Sequence, residues 1–214
     1  LEDNAVLNLQ TKFGQKATLV GNWLLSLVSI NFVWFVFSMP ALLMLVLLQS
    51  LPLNGVYLAT WLLLVLMLAV LVLPATYGVF QAAAQWAHDR GSHYWRPTLH
   101  GYIAGLKQWR QNSVFAGLIG LWLIAEQIGG RQVFWQSSLL ILGVALIAAV
   151  ILGMLRGLGP QAVAQALQQP LKLLAATLLT LALLLVNLAL PLLFCIVLLS
   201  VSLSAWAVIK IMKF

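Results

Sequence analysis

Residues 73–118, LPATYGVFQAAAQWAHDRGSHYWRPTLHGYIAGLKQWRQNSVFAGL, decide the fold. The stretch leaves one very apolar segment, carries Arg90, Arg96, Lys107 and Arg110 of the chain's 11 Lys and Arg residues, and enters another apolar segment. Unpaired charges in hydrocarbon cost several kcal/mol each. The stretch therefore reads as a polar loop between two membrane spans, and it sets which way the protein faces.

Outward from this loop the chain is 63% hydrophobic and 7% charged over 214 residues, with mean hydropathy +1.04. A soluble domain has about a quarter of its residues charged, so the composition predicts an integral membrane protein. The length suits about six helices of ~20 residues in one membrane domain, residues 1–214. The fold class expected is all-α: a polytopic bundle of six spans, both termini cytoplasmic, with interfacial amphipathic helices.

Residues 5–20 place Val6, Leu9, Phe13, Ala17 and Val20 at helical spacing beside Lys12 and Lys16, the pattern of an interfacial helix or of a lead-in to the first span. The spans are expected at about 22–48, 56–73, 113–125, 133–155, 171–187 and 191–209, with cytoplasmic loops at about 88–112 and 156–170. Pro40 lies inside the first span and predicts a tilt or bend. Pro74 marks a bend or restart after the second, with helix continuing to an end near Gly91. Asn187 and Pro191 supply a break between the last two spans. Two surface helices are expected in the cytoplasmic loops. One opens near Pro97, with an apolar stripe of Leu99, Tyr102, Ile103, Leu106 and Trp109 pressed on the bilayer or the bundle. The other opens at Pro160 and closes at Pro170.

Charge fixes the orientation. Lys12, Lys16, Arg90, Arg96, Lys107, Arg110, Arg156, Lys172, Lys210 and Lys213 fall on one side of the six-span arrangement, and Arg131 alone on the other. The positive-inside rule puts the first set in the cytoplasm, which predicts a membrane protein with both ends inside.

Asn31, Trp34 and Ser38 share one face of the first span, ahead of Pro40. Polar side chains at that depth face other helices, so they read as interhelical hydrogen-bonding groups or, alternatively, as a solute-binding site. Arg90, Arg96, Lys107 and Arg110 form a candidate cytoplasmic face for a partner or for lipid. Ala116 and Gly120 make a small pair that permits close helix contact, as do Ala149, Gly153 and Gly157. Glu126 reads as an interfacial turn residue rather than a proton relay.

Other chemistries find little support. Cys195 is the only cysteine, so no internal disulfide forms. His88, His93 and His100 do not share a helical face, and no metal or cofactor is expected. The basic residues form no stripe with aromatic partners, which argues against nucleic acid. No G-x-S-x-G, H-E-x-x-H or paired carboxylates occur, so no enzyme is expected.

Residues 31–40, NFVWFVFSMP, resemble the opening signature of the YesL family of bacterial membrane proteins, N-L-L-W-L-L-F-S-L-P, in Asn31, Trp34, Ser38 and Pro40. Pro74, Ala75 and Thr76 are similar to the family's P-A-T-A-A segment, and the likeness covers roughly residues 20–125. In this chain residues 41–73 intervene, whereas the family usually passes quickly from one motif to the other. The family has no established reaction, and its members are often encoded beside carbohydrate-uptake systems. The resemblance thus implies a transport-associated role. The expectation is a non-enzymatic accessory or scaffold protein, with the bilayer and a transporter permease as partners. The alternative is a small-solute carrier or substrate-binding membrane subunit with its site near the middle of the first span.

Overall fold

A computed structural model describes residues 12–89, 94–129, 132–189 and 200–212. All elements among these residues are helices: α1 (Lys12–Ser50), α2 (Gly55–Met67), α3 (Leu73–Asp89), α4 (Trp95–Leu106), α5 (Trp109–Gly129), α6 (Val133–Arg156), α7 (Pro160–Gln168), α8 (Pro170–Ala189) and α9 (Ser200–Met212). Among the described residues four segments are long and apolar enough to cross a bilayer: Thr18–Ser50, Gly55–Ala87, Trp109–Gly129 and Phe134–Arg156. The pair Pro160–Gln168 and Pro170–Leu185, bent by 99°, makes a fifth if taken as one span.

Helix α1 runs from Lys12 through Pro40 without interruption, so residues 12–20 lead straight into the first apolar segment rather than forming a separate helix. Pro74 does not end its helix either. Residues 68–72 form a π-helical turn that joins α2 to α3. A proline leaves the carbonyl four residues earlier without its helical donor. Here that carbonyl belongs to Val70, and the Tyr102 hydroxyl donates to it at 3.2 Å. Burial pushes the Tyr102 phenol above its ordinary value of 10.0, so the group stays a donor.

Helix α5 is longer than the expected 113–125. It takes in Trp109 and runs past Glu126 and Gln127 to Gly129. Helix α7 opens at Pro160 and α8 at Pro170. The break expected at Asn187 and Pro191 is not seen at Asn187, through which α8 continues to Ala189; Pro191 lies outside the described residues, as does Gly91. Of the sixth expected span only α9 is described, 13 residues or about 20 Å, less than the ~30 Å of hydrocarbon.

Packing is uneven along the bundle. The main core gathers Leu27 and Ile30 of α1, Val79, Ala82 and Ala83 of α3, Met154 and Leu155 of α6, Ala176 of α8, and Val208 and Ile209 of α9. It is closed by a ring cluster of Trp23, Trp86, Trp206 and Tyr94, with centroids 5.8–6.4 Å apart. A smaller core joins Ala41 and Leu48 to Tyr57 and Leu64 at the other end. There Gln49, Tyr57, Glu126 and Gln127 share one small cavity, which places the α1–α2 and α5–α6 turns side by side. Helix α4 runs back along α3, with Gly101 at Gly78 and Gly105 at Pro74, so Lys107 and Arg110 lie beside the middle of the Gly55–Asp89 segment.

Candidate functional site

The first-span residues are held by the bundle. Asn31 is buried, and its Oδ1 accepts from the Ser202 backbone N–H at 3.1 Å. This bond ties the first span to α9 across 171 positions of sequence. The half-buried Trp34 donates its Nε1 to Thr76 Oγ1 at 3.0 Å, and Thr76 donates to Val72 O at 2.8 Å. Ser38 is buried with its Oγ unpartnered, whereas Pro40 is exposed. Asn31 and Trp34 thus reach two different helices and line no common cavity among the described residues.

The cationic residues gather around α4. Arg90 lies outside the described residues; Arg96, Lys107 and Arg110 are exposed. Arg96 stacks over the Trp95 ring at 5.2 Å, and Arg110 over Trp109 at 5.7 Å. Such pairing holds each guanidinium by its face and leaves its N–H edges for other partners.

Helix α4 packs on α3 through the face that its apolar stripe does not occupy. Thr98, Gly101 and Gly105 are buried, whereas Ile103 is 55% and Trp109 64% exposed. A Cβ on Gly101 would lie 2.6 Å from Gly78 Cα, and one on Gly105 would lie 2.9 Å from Pro74 Cα. Only glycine permits this approach of two backbones. Phe37 of α1 stacks on Tyr102 at 4.1 Å, and Asn112 Nδ2 donates to Gly105 O at 2.9 Å, which clamps the turn between α4 and α5. Of the stripe expected to press on the bilayer or the bundle, Ile103, Leu106 and Trp109 face outward and Tyr102 turns to α1, while small residues make the face against α3. The G-x-x-x-G of Gly101 and Gly105 is the sequence signal for it.

Alongside this contact lies an open cleft of about 720 Å³. Tyr77, Gln81, Ala84 and Gln85 of α3 form one wall, and Arg96, Pro97, His100, Gly101 and Ala104 of α4 the other. Gln81 and Gln85 are one turn apart, as are Arg96 and His100, so the polar groups of both helices converge. The Gln81 amide donates to Gly157 O at 2.7 Å, which ties the α6–α7 turn to this wall. Among the described residues no carboxylate lines the cleft. Among the three histidines, only the side chain of His100 is described.

No family model matches the chain, and no curated protein or solved structure does.

Proposed function

We propose that the chain is a non-enzymatic protein of the bacterial cytoplasmic membrane that crosses six times, keeps both termini inside, and serves as an accessory or scaffold beside a solute transporter, carbohydrate uptake being the class implied by the YesL likeness. The observation that carries this reading is the engagement of Asn31 and Trp34 by Ser202 and Thr76, which uses the first span's polar groups to hold helices together. A carrier would need them free to meet solute. The Trp34–Thr76 bond also joins the two segments that carry the YesL likeness, so the likeness corresponds to one structural unit. Exposed apolar side chains on α1, α2, α5, α6 and α8 fit a bilayer around the bundle.

Copurification from native membranes tests the role. A stoichiometric permease held by the wild-type chain is the expected result; a lone protein whose thermal stability rises with added sugar overturns it in favour of the carrier. Topology is tested separately by a cysteine at Gly129. It should react with an impermeant reagent added outside the cell, and protection there sinks the six-span arrangement.

A further inference from the structure

We propose that the cleft between α3 and α4 binds a phosphate-bearing anion, with Arg96 as its principal ligand. The argument begins with shape. Gly78 and Gly101 bring the two helices together at one line, and the small residues Ala84, Gly101 and Ala104 leave the space beside it unfilled. At about 720 Å³ the cleft falls within the range of small-ligand sites and holds a phosphoglycerol group easily.

The polar groups set the chemistry. Arg96 offers a planar fork of N–H donors whose face is already covered by Trp95, a geometry that favours bidentate bonds to phosphate oxygens at the edge. Gln85 adds an exposed amide, and His100 sits one turn from Arg96 on the same wall. Gln81 has its amide engaged by Gly157, so Gln85 and Arg96 remain the free donors. Among the described residues no carboxylate lines the cleft, so the lining groups that are described favour an anion over a cation. Ile103 and Leu106 are exposed further along α4, an apolar surface on which the acyl chains of a lipid can lie. Lys107 and Arg110 lie outside the cleft and serve as internal controls.

Two sources present this chemistry: an anionic phospholipid and a soluble phosphate ester. The full chain is purified in neutral detergent, and binding of phosphatidylglycerol and of glycerol phosphate is followed separately by native mass spectrometry and thermal shift. Phosphatidylcholine is the reference lipid. The expected result is that one probe binds and that Arg96→Gln weakens it about tenfold, whereas Arg110→Gln, with the same change of charge, stays within about twofold. Binding of the lipid alone assigns the site to the membrane, and binding of the ester alone assigns it to a soluble ligand; either upholds the site. Equal losses in the two variants would reduce the effect to general attraction of anions and overturn the proposal, as would the binding of neither probe. Ala104→Leu, which fills the cleft without touching charge, must weaken binding as well, and full binding by that variant also refutes it.

Discussion

The long helical segment from Gly55 to Asp89 is two surfaces joined by one π-turn. On the α2 side Val56, Leu58, Leu62, Leu63 and Leu66 are exposed, and the segment meets α5 through side chains: Trp61 fills the space over Gly120 and donates its Nε1 to the Gly120 carbonyl at 2.9 Å. On the α3 side Ala75, Val79, Phe80, Ala82, Ala83 and Trp86 are buried, and the meeting with α4 is backbone to backbone. The same helical segment therefore exposes apolar side chains in its first half, as a helix able to cross a membrane does, and lies inside a protein core in its second. Helices in lipid gain little from apolar contact alone and adhere through fit and hydrogen bonds. Protein-covered helices tolerate no excess atom at a close crossing.

That contrast sets four expectations. The largest effect belongs to the α3–α4 crossing: Gly101→Leu places side-chain atoms where Gly78 now lies and should destabilise by about 3 kcal/mol, seen as a large fall in melting temperature in detergent. If its melting point matches wild type, the crossing is not the rigid contact described. Next comes Asn31→Leu, which removes the buried bond between α1 and the Ser202 backbone of α9; a loss of about 2 kcal/mol is expected, measured by denaturant unfolding. Trp61→Phe keeps most of the ring but removes the bond to Gly120. It should cost about 1 kcal/mol by thermal unfolding, because interhelical hydrogen bonds in membranes are modest. The smallest effect is Gly117→Ala on α5, where a Cβ meets nothing within 4 Å. Helix preference should make it neutral or stabilising by about 0.5 kcal/mol, and a clear loss of stability there would erase the distinction between the two kinds of surface.

Hydropathy made the apolar helices legible, because runs of Leu, Val and Ile at 56–73 and 133–155 admit few other readings. The prolines at 160 and 170 made α7 legible for a similar local reason: each suits a first helical position. The inner face of α4 was not legible from its apolar stripe. Ile103 and Leu106 are on its exposed side, and the inner side is marked by the small size of Gly101 and Gly105, which a hydrophobicity pattern does not weigh. Pro74 was readable as a disturbance but not as a continuous helix, since its neglected carbonyl is satisfied by Tyr102, 32 residues further on. The partners of Asn31 and Trp34 were out of reach for the same reason: Ser202 is 171 positions away and Thr76 is 42. Spacing within one helix shows which groups share a face, but not what that face meets.

The bond that Asn31 accepts from Ser202 of α9 also imposes an order on biogenesis. Synthesis proceeds at about 5–20 residues per second, so Asn31 leaves the ribosome on the order of ten to thirty seconds before Ser202 exists. Throughout that interval a carboxamide waits without its final mate, and the nascent protein cannot reach its finished arrangement until its last described helix arrives. Chains cut short before Ser200 should therefore be substrates for membrane proteolysis rather than functional fragments.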